Sequence, residues 1–180
     1  MAYDGPMLPG GVLLQPLAPS EDERGTFIEL FRNSWSLEVK PAQWNVVRSE
    51  PTVLRGVHAH WRHADYLTVV AGRATIGLHD LRDGSATEGL GTTVELCADR
   101  PAALVVPPGV AHGFYFHEPS LHVYAVDHEW DPADELGCRW DEPNLGIDWP
   151  FERPILSPRD DALGSLSELR AGVRQRLVPA

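Results

Sequence analysis

The sequence predicts a mainly β domain, a sandwich or a barrel built from short strands. From residue 26 to residue 126, short runs rich in β-branched and aromatic residues recur at even spacing. Sixteen glycines and sixteen prolines punctuate the chain and bound these runs. Helix signals between the runs are few, so the strands have no regular helical connections. That pattern favours a closed or double-layered antiparallel architecture.

The predicted strands follow one another without a detectable repeat. In chain order they cover residues 26–31, 43–47, 53–58, 66–71, 74–80, 92–96, 103–106, 112–116 and 121–126. The first run, Thr26 to Phe31, is apolar enough to predict a buried strand.

Two helices are predicted. Residues 33–39 could form two turns. At the C-terminus Ser165 and Glu168 form a capping-box pattern, followed by an apolar series at near-helical spacing: Leu166, Leu169, Val173 and Leu177. We therefore expect an amphipathic helix over residues 165–177, packed on the barrel or on a partner subunit.

The 180 residues and 19.9 kDa predict a single domain, residues 1–180, with a core of about 11–160 and a helical tail of about 161–180. Residues 131–161 are rich in Pro, Asp and Trp and lack periodicity. A stretch of that length without regular structure is expected to cover the rim of a functional pocket.

Charge and composition exclude several partners. Fifteen basic and 26 acidic residues give a net charge of −11 and a pI near 5.0, which argues against nucleic acid. The sequence has no apolar run of the roughly 20 residues that a membrane helix needs, and no signal peptide is recognised. Two cysteines are too few for a disulfide framework, so the cytoplasm is the expected compartment.

The eight histidines all fall between His58 and His128. His58 and His60 alternate on one strand and share a face, Asp65 starts the next strand, and a Pro-Pro-Gly turn precedes His112. These stretches resemble the two motifs of the cupin superfamily, small β-barrels with a pocket in the barrel mouth.

The resemblance to metal-binding cupins implies a possible ligand set. It consists of His58, His60, Asp65 and His112, with Asp65 where the superfamily usually has glutamate. Imidazole and carboxylate ligands of this kind suit iron, manganese, nickel or zinc.

A narrower resemblance covers about residues 11–160. In order and spacing, a series of motifs resembles the dTDP-4-dehydrorhamnose 3,5-epimerases, which are themselves cupins. The motifs are residues 22–29, 43–45, 54–58, 80–82, 108–114, 124, 140–143, 146–150 and 156–160.

This resemblance implies a mainly β, cupin-type jelly roll and an isomerase that acts on a nucleotide-linked 4-keto-6-deoxyhexose without a cofactor. Such an enzyme removes a proton from C3 or C5, which the C4 ketone acidifies, and returns one on the opposite face. The match implies that His58 is the base, Asp160 orients it, and Tyr124 is the opposite-face acid. The pathway implied is deoxysugar or polysaccharide biosynthesis.

The resemblance also implies a substrate-binding set and a homodimer. Arginines would hold the diphosphate, Trp130 would stack on the base, and the strand from Arg24 to Glu29 would reach the partner's site. The implied set is Arg24, Glu29, Gln43, Trp44, Asn45, Arg55, His60, Asp65, His112, Trp130, Glu135 and Arg159.

One departure from the family pattern leaves alternatives open. Asp65 stands where the family has a lysine, and His60 replaces a glutamine, so an anion occupies the place of a cation that would stabilise an enolate. Either a protonated His60 or a metal ion supplies that charge, or the activity is altered. The sequence favours the metal-free epimerase over two competitors, a metal-dependent cupin oxygenase or isomerase and a non-catalytic sugar-nucleotide-binding relative.

Overall fold

The computed structural model describes residues 5–177. Twelve strands and two α-helices account for its regular structure in this range, together with 3₁₀ turns at Pro132–Asp134 and Pro143–Leu145. The elements are β1 (Leu13–Pro16), β2 (Pro19–Asp22), β3 (Gly25–Ile28), β4 (Gln43–Ser49), β5 (Leu54–Ala59), β6 (Asp65–Ala71), β7 (Arg73–Asp80), β8 (Gly91–Cys97), β9 (Ala102–Val106), β10 (Val110–Phe116), β11 (Ser120–Val126), β12 (Leu136–Gly137), α1 (Pro158–Asp161) and α2 (Leu166–Leu177).

The strands form two five-stranded antiparallel sheets and one separate hairpin. The first sheet has the order β1-β9-β6-β11-β4, and the second has the order β12-β5-β10-β7-β8. Sequence neighbours β6 and β7 lie in different sheets, as do β5 and β6, so the chain repeatedly crosses between layers. This is the predicted cupin-type jelly roll, in which each sheet buries one face against the other.

The main core lies between the inner faces of the two sheets. Leu67 and Leu104 from the first sheet pack in one cluster with Ile76, Leu96 and Phe116 from the second. The alternation of apolar residues along each strand explains the arrangement, because every second side chain points inward.

The strand predicted at residues 26–31 is shorter and less buried than expected. It begins at Gly25 and ends at Ile28, pairs only with β2, and exposes Phe27. The prediction of burial is wrong because this hairpin belongs to neither large sheet.

The helix predicted over residues 33–39 is also wrong. A single turn forms there, in which the Trp35 amide donates to the Arg32 carbonyl. Trp35 and Leu37 pack with Val39 against the outer cluster around Tyr66, so tertiary contacts determine the path of this segment.

The C-terminal helix is confirmed. Glu168 accepts a hydrogen bond from the Ser165 amide, and the Ser165 hydroxyl accepts one from the Glu168 amide, as a capping box requires. Leu166, Leu169 and Val173 pack into a second apolar cluster under β5 and β10. Neither helix of the described range is long and apolar enough to cross a membrane.

The strands β1, β2 and β12 and the short helix α1 were not predicted. β1 and β2 contain only four residues each, one of them proline, and β12 contains only two, so none has a readable period. Residues 131–161 pack over the second sheet, with Cys138, Leu145 and Trp149 in the second cluster. They also supply one wall of the cavity described next, as expected.

Candidate active site

A cavity of about 420 Å³ lies between the two sheets, beside the main core. β5 and β10 provide one wall, and β4, β6 and β11 provide the other. Residues of the 131–161 segment close one side, among them Glu135, Leu156 and Asp160. The cavity therefore gathers side chains from strands that are far apart in the sequence.

A β-bulge in β5 aims two functional side chains into this cavity. His58 pairs with His112, and Arg55 pairs with Phe114, so three steps on β5 match two steps on β10. Gly56 has a φ of +113°, and a Cβ there would lie 2.8 Å from the Gly113 Cα atom. Arg55 and His58 thus both line the cavity, although strict alternation would place them on opposite faces.

His58 and Asp160 form a hydrogen-bonded dyad. The His58 Nε2 atom lies 2.7 Å from Asp160 Oδ1, and Asp160 is buried. Burial alone would raise the pKa of Asp160, but hydrogen bonds from His58 and Ser157 and the charge of His58 bring it below its ordinary value. A carboxylate held ionised in this way can orient an imidazole and stabilise its protonated form.

The short helix α1 positions Asp160. Ser157 is the N-cap residue, its hydroxyl accepts a hydrogen bond from the Asp160 amide, and Pro158 occupies the first turn. Residues 157–160 are therefore a local capping unit that delivers one carboxylate to β5.

Tyr124 belongs to the opposite sheet and lines the same cavity. It lies on β11 between Asn45 of β4 and Leu67 of β6 in the strand register. Burial raises the pKa of its phenol, and the nearby carboxyls of Asp65 and Glu135 raise it further. The phenol therefore keeps its proton at neutral pH and is available as an acid.

Asp65 lies in a cluster of histidines at the wall of the cavity. Its Oδ2 atom is 3.9 Å from His60 Nε2, 3.8 Å from His63 Nε2 and 3.7 Å from His112 Nε2, and all four residues are buried. Burial lowers the pKa of His60 to about 2 and that of His112 to about 4, with further lowering from neighbouring histidines. The pKa of Asp65 is raised well above its ordinary value by burial and by nearby carboxyl groups.

His63 and Asp134 complete this cluster and were not predicted. His63 Nδ1 lies 2.7 Å from Asp134 Oδ2, and both side chains are buried. His63 follows His60 by three residues, a spacing that does not mark a shared strand face, and Asp134 is 71 residues further along the chain. His122, two residues before Tyr124, was also missed, although period-two alternation places it in the same cavity wall.

Charged side chains lie at the cavity rim. Arg55 donates through Nε to the Ser49 hydroxyl at 3.0 Å and keeps its guanidinium along the cavity. Arg159 forms an ion pair with Glu135, and both line the cavity. All these rim residues except Ser49 belong to the predicted substrate-binding set.

Four predicted residues of β4 and its neighbourhood do not line the cavity. Gln43 donates through Nε2 to Asn45 Oδ1 at 3.0 Å, and the Trp130 amide donates to Gln43 Oε1 at 2.9 Å, so these three residues form one linked group. Trp44 points to the outer face of the sheet, where it makes edge contacts with Phe31 and Tyr66.

Arg24 and Glu29 also lie outside the cavity of their own chain. Arg24 forms an exposed ion pair with Asp22 at the tip of the β2–β3 hairpin. Glu29 forms an ion pair with Arg32 just after the hairpin. A role for either residue at a substrate site would require a cavity other than the one in the same chain.

A jelly roll whose inner cavity holds a partly buried His–carboxylate dyad, with a protonated tyrosine on the opposite sheet, defines an acid–base enzyme of the cupin type. The sequence comparison identifies the branch: the model of the dTDP-4-dehydrorhamnose 3,5-epimerase family matches residues 7–168. The chain belongs to this family.

Individual relatives support this assignment to the family. The dTDP-4-dehydrorhamnose 3,5-epimerase of Pseudomonas aeruginosa is 34% identical over 165 residues, which cover 85% of this chain and 89% of the relative. The crystal structure of NovW, a 4-keto-6-deoxy sugar epimerase from Streptomyces spheroides, superposes with a TM-score of 0.84 at 30% identity, covering 97% of this chain and 91% of that one. The Legionella pneumophila epimerase RmlC, in complex with dTDP-4-keto-L-rhamnose, also gives a TM-score of 0.84 at 30% identity, covering 91% and 92%.

Proposed function

We propose that this protein epimerises a dTDP-linked 4-keto-6-deoxyhexose at C3, C5 or both, in deoxysugar or polysaccharide biosynthesis. The observation that carries the proposal is the placement of the His58–Asp160 dyad and Tyr124 on opposite sheets around one cavity. Inversion of a carbon centre needs a base on one face of the sugar and an acid on the other. The relatives named above act on sugars of this class or bind one.

His58 is the proposed base. With Nε2–H donating to Asp160 Oδ1 at 2.7 Å, the lone pair of the imidazole is on Nδ1. Removal of a proton from C3 or C5 converts this ring to an imidazolium, and the buried Asp160 carboxylate stabilises that charge. The electrons left on carbon pass into the C4 carbonyl and form an enolate.

Tyr124 is the proposed acid. Its proton is held at neutral pH by burial, and it faces the cavity from the other sheet. Transfer of that proton to carbon on the face opposite His58 completes the inversion. Arg55 and Arg159 at the rim supply the cations that a diphosphate requires.

Solvent-exchange kinetics test the base. The protein is incubated with dTDP-4-keto-6-deoxyglucose in deuterium oxide, and deuterium at C3 and C5 is followed by NMR. We expect exchange in the wild type and its loss, by at least about a hundredfold, in His58→Asn, because general base catalysis contributes roughly this much.

The matched control is His117→Asn, a histidine outside the cavity that hydrogen-bonds Thr75. It is expected to retain exchange, and dTDP binding measured by calorimetry is expected to survive in both variants. If His58→Asn exchanged deuterium into the sugar at the wild-type rate, another group would be the base. Absence of exchange in the wild type, with dTDP bound, would favour a binding protein without catalysis.

We also propose that the protein is a homodimer in which the β2–β3 hairpin of one chain contributes to the cavity of the other. The hairpin is exposed, and its tip residue Arg24 lies away from the cavity of its own chain. Phe27 on the hairpin and Val46 on the edge strand β4 are exposed apolar side chains of the kind that interfaces cover. A cytoplasmic location remains a prediction from the sequence.

A further inference from the structure

The cluster around Asp65 has the geometry of a cation site. Three imidazole Nε2 atoms, from His60, His63 and His112, surround one carboxylate oxygen at 3.7–3.9 Å. These separations are too long for hydrogen bonds, which join nitrogen and oxygen at about 2.7–3.2 Å. Buried polar groups normally have partners within hydrogen-bond distance, so the spacing calls for an explanation.

The other ring nitrogens explain how the Nε2 atoms are held. His63 Nδ1 donates to Asp134 Oδ2 at 2.7 Å, and His112 Nδ1 donates to the Val110 carbonyl at 3.2 Å. A histidine that donates through Nδ1 presents the Nε2 lone pair, and a supporting carboxylate or carbonyl is the usual second contact of a metal-bound histidine. Among the described residues, His60 Nδ1 has no hydrogen-bond partner at all.

We propose that His60, Asp65 and His112 bind a divalent transition-metal ion. The ligand atoms of His60, Asp65 and His112 all lie within 4.8 Å of one another. Zinc bonds of 2.0–2.2 Å to nitrogen and oxygen imply a ligand–ligand edge of about 3.4 Å in a tetrahedron. The contacts of His60 and His112 to Asp65 therefore need to shorten by only a few tenths of an ångström, and two imidazoles with one carboxylate suit zinc, iron, nickel, cobalt or manganese.

This ligand set differs from the one that the cupin resemblance implied. His58 is engaged with Asp160, so the ligand set consists of the other three residues and leaves His58 out. A metal ion and a free base can therefore coexist in the same cavity, whereas the set containing His58 would have removed the base.

The ion would face the cavity. His60, Asp65 and His112 line it, and the His63–Asp134 pair packs beside His60. An open coordination position there would accept an oxygen atom of the bound molecule. If the proposed function holds, the ion restores positive charge at the position where the family resemblance implies a lysine, close to the developing enolate oxygen.

Elemental analysis and cobalt titration test the site. The protein is purified without chelators or a histidine tag, and its metal content is measured by mass spectrometry. The metal-depleted protein is then titrated with Co²⁺, whose visible absorption reports the coordination of the ion. We expect one ion per chain, and at least a tenfold loss of Co²⁺ affinity in each of His60→Gln, Asp65→Asn and His112→Gln.

Two histidines of the same cavity provide matched controls. His122→Gln removes a buried imidazole outside the cluster, and His58→Gln removes the proposed base. Both are expected to bind Co²⁺ with the affinity of the wild type. Equal loss in His58→Gln and His112→Gln would overturn the ligand set.

Metal binding and thermal stability of the wild-type protein test the site even if a ligand variant fails to fold. Zn²⁺ is expected to raise the Tm of the intact protein, and a chelator is expected to reverse the rise. If the folded wild type binds none of Zn²⁺, Co²⁺, Ni²⁺, Mn²⁺ and Fe²⁺ stoichiometrically, the proposal is wrong. Stoichiometric metal in a protein without deuterium exchange would leave the metal site standing and refute the epimerase.

Discussion

At the residue scale, Tyr124 separates deprotonation from inversion. In Tyr124→Phe the His58–Asp160 dyad remains, so the base can still remove a proton and return one to the same face. We expect solvent exchange to continue and inversion to fall by at least about a hundredfold, the usual contribution of an acid catalyst. NMR of the recovered sugar measures both quantities in one sample, and full inversion by the variant would remove tyrosine from the mechanism.

Asp80 is a second residue whose substitution has a testable effect, in this case on the stability of the fold. Its buried carboxylate accepts hydrogen bonds from the Arg82 guanidinium, the Ser85 hydroxyl and the Thr87 hydroxyl. Burial would raise the pKa of Asp80, but these hydrogen bonds lower it well below the ordinary value. The carboxylate therefore organises the turn between β7 and β8.

We expect Asp80→Asn to lower the free energy of unfolding at pH 7 by about 1.5–3 kcal/mol, the contribution of hydrogen bonds to a charged group. A carboxyl whose folded pKa is lowered stabilises the protein above its ordinary pKa near 3.8, and this stabilisation declines as the pH falls toward the folded pKa. The difference between wild type and variant should therefore narrow by about 1 kcal/mol at pH 3.

Urea unfolding at pH 7 and pH 3 measures this difference. Asp83→Asn is the matched control, because Asp83 lies in the same turn but makes only an exposed ion pair with Arg174. Surface ion pairs contribute about 0–1 kcal/mol. A difference for Asp80→Asn that is independent of pH would contradict the assigned ionisation.

At the element scale, the helix α2 supports the site from behind. Leu169 is buried in the second apolar cluster, and α2 packs on β12. β12 in turn pairs with β5, where Gly137 is opposite His58. We expect Leu169→Ala to cost about 2–5 kcal/mol of unfolding free energy, because it removes buried methyl groups and leaves a cavity.

Chemical denaturation measures this cost, with Gln175→Ala on the exposed side of the same helix as the control. A surface substitution of this kind is expected to change stability by less than about 0.5 kcal/mol. Equal effects of the two substitutions would show that α2 does not hold the strand beneath it.

The observed elements also show which parts of the fold local sequence patterns can predict. The β-branched and aromatic runs at residues 112–116 and 121–126 and the capping box at Ser165 are local signals, and both predict the structure correctly. The hairpin at Phe27 and the segment around Trp35 were mispredicted, because their apolar residues pack outside the two sheets. The structure of both segments depends on contacts with residues distant in the sequence, and no local pattern encodes such contacts.

The same distinction holds for the site. Motif resemblance brought His58, Tyr124 and Asp160 together, although Asp160 is 102 residues from His58. His63 and Asp134 belong to no motif, and their contact depends on how the loop after β5 meets the 3₁₀ turn after β11. Such contacts become visible only when the chain is folded.

At the scale of the whole molecule, the hairpin predicts the oligomeric state. Phe27 exposes 66% of its surface on a hairpin that neither sheet covers. If this side chain is buried in a dimer, Phe27→Glu places an unpaired charge in the interface. We expect at least a tenfold rise in the dimer Kd.

Light scattering coupled to gel filtration over a range of concentrations measures this equilibrium. Met7→Glu is the matched control, because Met7 is an apolar side chain of similar exposure, 69%, outside the hairpin. A wild type that elutes at the 19.9 kDa of one chain would refute the dimer.

The bulge at Gly56 has a consequence for the comparison of this strand with related sequences. β5 carries one residue more than β10 over the stretch that connects Arg55 to His58. Deleting a single residue there would place the two side chains two positions apart, and strict alternation would keep both on the cavity face. Losing the bulge at unchanged length would instead turn either the guanidinium or the imidazole away from the cavity. In this strand the bulge itself is a functional property, so a related sequence of the same length with a larger residue in place of Gly56 signals a changed site even when both side chains are retained.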